Sequence, residues 1–94
     1  MTRKKLSETE SKMALAELNG WKIEGVNLKK RFEFKNFAGA LAFVNQVGAI
    51  AERRDHHPDI NFGWGYAEFS ITTHDTGGLT HNDFDLAKEI ETLA

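Results

Sequence analysis

Apolar and polar positions alternate along this chain with helical spacing in three segments and with strand spacing in four. The first helix is predicted to begin at Ser7, because Ser7 and Glu10 have the spacing of a capping box. Its apolar positions continue to about Leu18, and Asn19-Gly20 is typical of the residues that follow a helix. We therefore expect one short helix before the first strand.

Two strands joined by a tight turn are predicted next. Trp21 and Ile23 alternate with polar neighbours, and Gly25-Val26-Asn27 is suited to reversing the chain. In the second strand the apolar residues that share one face are Leu28, Phe32 and Phe34. Alternation with a period of two indicates a hairpin with one buried face.

The longest helix is predicted to begin after Asn36, a favourable N-cap, and to end before Pro58, since a residue that precedes proline avoids helical geometry. Its predicted core stripe consists of Phe37, Leu41, Val44, Val47 and Ala51. Phe43 and Ile50 flank this stripe. They indicate either a subunit interface or a broader contact with a single core, and the sequence alone leaves both open.

The second predicted hairpin turns at Gly65-Tyr66, with glycine in the first turn position. The apolar pairs that this turn places on one face are Trp64 with Ala67, Phe62 with Phe69, and Ile60 with Ile71. Extending the same register places His57 opposite His74. Two separated histidine segments are therefore expected to lie near each other.

A third helix is predicted to begin after Thr80, with Phe84, Ala87 and Ile90 directed inward. The predicted order is then α-β-β-α-β-β-α. Because strands joined by short turns form antiparallel pairs, this order predicts an α+β fold: a four-stranded antiparallel sheet with helices packed on one face. A chain of 94 residues is expected to form one domain, residues 1–94.

Composition narrows the class of protein. The chain has no cysteine, which excludes disulfides, thiolate nucleophiles and cysteine-ligated metal sites. A net charge of −2 and a pI of about 6.1 give no electrostatic indication of a nucleic-acid partner. No segment approaches the ~20 apolar residues of a membrane span, and no apolar signal core follows the basic N-terminus. We expect a cytoplasmic protein that binds neither nucleic acid nor membrane.

Three of the four histidines lie in two short segments, His56-His57 and His74. Histidine titrates near neutral pH, so histidines that converge indicate proton transfer. Each segment also has a structural explanation. Histidines at a helix C-terminus, as expected for His56-His57, interact favourably with the helix dipole and the free carbonyl groups. His74, at a strand end before a turn, is typical of a loop residue. A metal site is the first functional alternative, with the carboxylates Glu52, Asp55 and Asp83 as further ligands. It is disfavoured because adjacent histidines on an extended segment point to opposite sides.

At these residues the sequence closely resembles the pterin-4a-carbinolamine dehydratase family. The family's pattern is an acidic residue, three positions, His-His-Pro, five positions, an aromatic residue, nine positions, His, eight positions and Asp. The matching residues, with every spacing kept, are Glu52, His56-His57-Pro58, Trp64, His74 and Asp83. The resemblance covers about Leu18 to Ala94, and a pattern with so many fixed spacings is highly specific.

The resemblance implies a dehydratase (hydro-lyase) that eliminates water from 4a-hydroxytetrahydropterin (4a-hydroxytetrahydrobiopterin) to give quinonoid 6,7-dihydropterin, in tetrahydrobiopterin recycling. It implies histidine general acid/base catalysis that needs no cofactor or metal. His56 and His74 would transfer protons and His57 would orient the substrate, although these three roles could be permuted. The implied substrate-binding residues are Glu52, Asp55, His56, His57, Pro58, Thr73, His74, Asp75, Thr76 and Asp83.

The resemblance also has implications for partners. Family members form dimers and tetramers, so a homodimer or homotetramer is expected here. Recycling implies an aromatic amino-acid hydroxylase system as the source of the substrate. Some family members act as dimerisation cofactors of a transcription factor, and related chains assist assembly of a carbon-fixing enzyme. A non-catalytic binding module is therefore the alternative to an enzyme, although the three retained histidines favour catalysis.

Overall fold

The computed structural model describes residues 4–94, which form three α-helices and four β-strands. These elements are α1 (Glu8–Leu15), β1 (Lys22–Glu24), β2 (Asn27–Glu33), α2 (Phe37–Arg54), β3 (Asp59–Gly63), β4 (Tyr66–Ile71) and α3 (His81–Glu91), with a short 3-10 turn at His74–Thr76. Their order confirms the predicted α-β-β-α-β-β-α arrangement, although α1 ends at Leu15 and not near Leu18. Residues 1–3, part of the basic N-terminus considered above, lie outside the described range.

Side-chain capping begins each of these helices as predicted. The Ser7 hydroxyl accepts a hydrogen bond from the Glu10 backbone N–H at 3.0 Å, and the Glu10 carboxylate accepts one from the Ser7 N–H at 2.8 Å. Asn36 caps α2 with its side-chain oxygen, and Thr80 caps α3. Each bond satisfies a backbone donor that has no partner within its own helix.

The four strands form one antiparallel sheet in the order β1-β2-β4-β3. The buried residues of its helix-covered face are Leu28, Phe32, Ala67, Phe69 and Ile71. The inward residues of α3 are Phe84, Ala87 and Ile90, as predicted. Burial of each large apolar side chain contributes about 1.5–3 kcal/mol to stability. Helices on one face of a four-stranded sheet confirm the predicted α+β class.

The register of the second hairpin differs from the prediction by two residues. The observed pairs include Ile60 with Phe69 and Phe62 with Ala67. The turn is therefore Trp64-Gly65, and the prediction of Gly65-Tyr66 was wrong. Gly65 has a φ of +85° at the second turn position, which residues with a side chain rarely adopt. A two-residue shift keeps every side chain on the same face.

The observed register also removes the expected pairing of His57 with His74, because both residues lie outside the strands. Strand β3 begins only at Asp59, after Pro58, and β4 ends at Ile71. The histidine segments therefore cannot be aligned by extending the ladder. Their relation depends on side-chain contacts with α3.

The buried face of α2 is rotated relative to the predicted stripe. Its buried residues are Ala40, Phe43, Val47, Ile50 and Ala51. Phe37 and Leu41, which were assigned to the core, are 45% and 39% exposed. The Phe43 ring lies 4.9 Å from the ring of Phe32 and 5.8 Å from that of Phe69, between centroids. The broader contact with a single core is therefore the correct alternative for Phe43.

Candidate functional site

The end of α2 determines where the first two histidines lie. Asp55 adopts the left-handed conformation, with a φ of +52°, which aspartate tolerates better than most residues. The His56 N–H donates to the Ala51 carbonyl at 3.1 Å, and the Asp55 N–H donates to the Glu52 carbonyl at 3.2 Å. These are the two bonds of a Schellman motif. After this turn His56 is buried, whereas His57 is exposed.

His56 forms a buried pair with Asp83. His56 Nε2 lies 2.6 Å from Asp83 Oδ1, within hydrogen-bond distance, and the two side chains are 7% and 0% exposed. A carboxylate without access to water is costly unless its oxygens accept hydrogen bonds. This pair joins the end of α2 to the first turn of α3.

Two threonines provide the other hydrogen bonds of Asp83. Its Oδ2 accepts from Thr73 Oγ1 and from the Thr80 backbone N–H, both at 2.8 Å. The hydroxyl oxygens of the two threonines are 2.9 Å apart, and both residues are buried. Asp83 also closes the capping box that begins at Thr80. One carboxylate thus caps α3, bonds the residue before His74, and holds His56.

His57 lies at the surface beside Glu52. His57 Nε2 lies 2.5 Å from Glu52 Oε2, within hydrogen-bond distance, and the two side chains are 54% and 78% exposed. A contact between two exposed polar side chains contributes at most about 1 kcal/mol to stability. The pair is therefore of little importance for the fold, but it orients the ring and leaves the other ring nitrogen directed away from Glu52.

His74 is the first residue of the 3-10 turn that follows β4, and it is exposed. The Thr76 hydroxyl lies 3.2 Å from the Thr73 carbonyl oxygen and 2.8 Å from that of Gly78, which holds the turn together. His74 is therefore an exposed residue of a turn that is held by hydrogen bonds. Thr73, which precedes the turn, is hydrogen-bonded to Asp83.

Asp83 links the chain segments that carry the three predicted histidines. His56 bonds directly to this carboxylate, His57 follows His56 in the chain, and His74 follows Thr73, which bonds to the same carboxylate. Thr73 and Asp83 are 1% and 0% exposed, so their hydrogen bonds lie in the interior, below the exposed histidines.

Trp64 lies apart from this region. It is 72% exposed at the tip of the second hairpin, and the five residues of β3 separate it from Pro58. At ~3.3 Å per residue, the six steps from Pro58 to Trp64 span roughly 20 Å. Within one chain, the aromatic residue of the spaced pattern does not adjoin the histidines.

Thr80 is hydrogen-bonded to both Thr73 and Asp83, but it was not predicted from the sequence as a site residue. Its capping role was predicted, but its contact with Thr73 was not. The spacing Thr80-x-x-Asp83 is itself a capping box. Because Asp83 was already a candidate site residue, that spacing was the available signal that the helix cap and the site share one carboxylate.

No three His, Asp or Glu side chains are grouped to hold a metal ion in the part of the chain that the structure describes. His56 contacts the buried Asp83, whereas His57 contacts the exposed Glu52, so the two rings pair with different carboxylates. Across residues 4–94, no helix has the length and apolar character needed to cross a bilayer.

Comparison with known proteins relates the whole chain to one family. The family described as "Pterin 4 alpha carbinolamine dehydratase" matches residues 4–93. A protein of Thermosynechococcus vestitus is 46% identical over 96% of this chain and 95% of its own length. One from Sulfolobus acidocaldarius is 43% identical over 95% and 98%. Both carry the name "Putative pterin-4-alpha-carbinolamine dehydratase".

Two solved structures are also similar. The transcriptional coactivator/pterin dehydratase from Brucella melitensis superposes with a TM-score of 0.92 and 31% identity, over 97% of this chain and 99% of its own. A pterin dehydratase-like protein, identified as a RuBisCO assembly factor in the alpha-carboxysome, gives a TM-score of 0.66 and 28% identity, over 79% and 86%. The family match, the nearly full-length relatives and the structural similarity agree. This chain therefore belongs to the pterin 4 alpha carbinolamine dehydratase family.

Proposed function

We propose that this protein is a 4a-hydroxytetrahydrobiopterin dehydratase, a carbon–oxygen lyase that yields quinonoid 6,7-dihydropterin. The observation that supports this most directly is the buried His56–Asp83 pair, at 2.6 Å, with the exposed His57 and His74 each next in the chain to a residue that bonds to Asp83. Burying an ionisable pair costs solvation free energy that an apolar pair of similar size would not. A histidine oriented by a carboxylate, beside two exposed histidines, is typical of a proton-transfer site.

Dehydration of a carbinolamine requires two proton movements. One proton reaches the hydroxyl group, so that the carbon–oxygen bond breaks and water leaves. Another proton leaves the ring nitrogen as the new carbon–nitrogen double bond forms. The electrons remain within the substrate, so the balanced reaction includes neither oxidant nor reductant. Histidine suits both steps near neutral pH, and each positioned transfer contributes roughly 10²–10⁴-fold to the rate.

We assign the proton transfers to His56 and His74. His57, held by Glu52, orients the pterin and supports it electrostatically. The remaining contacts proposed for the substrate come from Asp55, Pro58, Asp75 and Thr76. This division gives the acid and the base to residues on separate segments, which allows them to act on two different atoms of the substrate.

The test compares His74→Ala with His81→Ala in a stopped-flow dehydration assay, because the substrate also decays spontaneously. His81 is exposed at the start of α3 and has no assigned role. We expect His74→Ala to lower the rate by about tenfold or more and His81→Ala to retain the wild-type rate, with unchanged circular dichroism for both. Full activity in a folded His74→Ala protein would remove His74 from the mechanism.

We also propose that the protein assembles as a homo-oligomer through an apolar surface formed by Phe37, Leu41 and Phe62. Phe37 and Leu41 are partly exposed, and the Phe37 ring stacks on that of Phe62 in β3 at 5.6 Å between centroids. β3 is an edge strand, so its outer backbone groups are available for pairing. A second copy of the chain is the occupant we favour, because two identical strand edges can pair antiparallel across a two-fold axis, which uses the same surface on both subunits.

Light scattering tests this assembly with a matched pair of variants. Leu41→Glu places a charge on the proposed surface and should give a smaller, folded species. Met13→Glu, at a residue that is 68% exposed on α1, should leave the assembly unchanged. A wild-type protein that is monomeric at concentrations on the order of tens of micromolar would contradict the proposal.

The alternative function is a binding module without catalysis. The names of two structural relatives, a coactivator/dehydratase and an assembly factor, favour keeping it as the second candidate. Phe37 and Leu41 would then contact a different protein. Dehydration by the pure protein distinguishes catalysis from this alternative.

A further inference from the structure

We propose that Thr73 and Thr80 are positioning residues that act through Asp83 and hold His56 with its Nδ1 atom, and not Nε2, facing the substrate. This inference deepens the proposed function and depends on it only for the identity of the ligand. The Nε2 atom of His56 is already occupied by Asp83 Oδ1 at 2.6 Å. Nδ1 is therefore the only ring nitrogen that remains for a reacting group.

The hydrogen bonds around Asp83 have a fixed direction. An ionised carboxylate can only accept, so His56 Nε2, Thr73 Oγ1 and the Thr80 N–H must all donate to it. The hydroxyl of Thr73 has one proton, and that proton is used in the bond to Asp83. In the contact of 2.9 Å between the two hydroxyl oxygens, Thr80 must therefore be the donor.

The result is a chain of two hydrogen bonds, in which the Thr80 hydroxyl donates to Thr73 and the Thr73 hydroxyl donates to Asp83. We call this chain of hydrogen bonds the relay. The Thr80 hydroxyl also accepts from the Asn82 backbone N–H at 3.2 Å, so its orientation is set by the first turn of α3. Thr73, Thr80 and Asp83 are 1%, 2% and 0% exposed. Water does not compete for these bonds, and hydrogen bonds in such surroundings are electrostatically stronger than at the surface.

The relay has a specific consequence for the imidazole ring. With Asp83 fixed as an acceptor, neutral His56 must carry its proton on Nε2, and Nδ1 is an acceptor. No residue from 4 to 94 pairs with Nδ1, and none of the buried side-chain nitrogen or oxygen atoms in that range lacks a partner. Because 7% of the His56 side chain remains exposed, Nδ1 is the ring nitrogen left for a group outside the protein. It can take a proton from a ligand when neutral, and donate one when the ring is charged.

The primary test is the isosteric variant Thr73→Val, which removes the relay hydroxyl and keeps the shape. Nitrogen-15 NMR of the histidine rings reports which nitrogen is protonated, independently of activity. We expect neutral wild-type His56 to be protonated on Nε2 and Thr73→Val to show a mixture of tautomers. We expect kcat to fall about tenfold or more with little change in KM, because a misplaced catalytic group lowers the rate more than binding. Thr73→Ser, which restores the hydroxyl, should recover both properties.

Thr72→Val is the matched control. Thr72 precedes Thr73, but its hydroxyl donates to the Val26 carbonyl at 2.5 Å and takes no part in the relay. It should retain the wild-type tautomer and kcat. Neutral wild-type His56 protonated on Nδ1, or a folded Thr73→Val with wild-type tautomer and kcat, would overturn the proposal. If the wild type does not dehydrate the pterin, the proposed function fails, while the NMR result still decides whether the relay positions His56.

Discussion

Replacing Asp83 by asparagine measures how much of the fold depends on one buried carboxylate. Asparagine has almost the same shape, but one acceptor oxygen becomes an NH₂ donor. Three donors converge on Asp83 in the native protein, from His56, Thr73 and Thr80. In Asp83→Asn at least one of them must face another donor or change its role. The backbone N–H of Thr80 cannot change, so the adjustment must come from His56 or Thr73.

The size of the effect follows from these bonds. A hydrogen bond to a charged group contributes about 1.5–3 kcal/mol. His56 can change its tautomer and the Thr73 hydroxyl can rotate, so we expect Asp83→Asn to lose about 2–3 kcal/mol, close to one such bond. Asp83→Ala leaves three buried donors without an acceptor, at about 1–3 kcal/mol each. That sum is comparable to the whole stability of a small domain, about 5–15 kcal/mol, so Asp83→Ala is expected to fold poorly.

Urea unfolding followed by circular dichroism measures the loss. With an m value of about 1–3 kcal/mol/M, the midpoint for Asp83→Asn should fall by about 0.7–3 M. Asp85→Asn, an exposed position on the same helix, is the control and should stay within about 0.5 kcal/mol of the wild type. An Asp83→Asn protein as stable as Asp85→Asn would refute the reasoning, because the three donors would then need no carboxylate.

Two further predictions concern the helix end and metal. Asp55→Gly should keep the left-handed turn that ends α2 and remain within about 1 kcal/mol of wild-type stability, whereas Asp55→Val should lose about 1–2 kcal/mol; equal urea midpoints for the two variants would contradict this. Treatment with EDTA should leave the dehydration rate unchanged, and elemental analysis should find no stoichiometric metal. Activity lost on chelation and restored by zinc would favour a metal-assisted reaction instead.

Local signals in the sequence predicted the elements of the fold well. Ser7, Asn36 and Thr80 each have a side-chain acceptor suited to a helix start, and each acts as the N-cap. The hairpin register was not accessible in the same way. A shift of two residues preserves the alternation of buried and exposed positions, so Trp64-Gly65 and Gly65-Tyr66 satisfy the same hydrophobic pattern.

The buried face of α2 could not be read from hydrophobicity alone. Phe37 and Leu41 are apolar but partly exposed, whereas the small Ala40 is fully buried. Several stripes on such an apolar helix satisfy the same spacing, and only the position of the sheet selects one of them. Similarly, aspartate tolerates a positive φ but does not require one, so the sequence alone did not predict the conformation of Asp55 that precedes the buried His56.

The most direct test of the proposed activity is the stopped-flow decay of 4a-hydroxytetrahydropterin with and without the wild-type protein. Two positioned proton transfers should accelerate dehydration by at least about 10²-fold over the spontaneous reaction, with quinonoid dihydropterin as the product. Decay at the spontaneous rate in the presence of folded protein would contradict the account and favour the binding module.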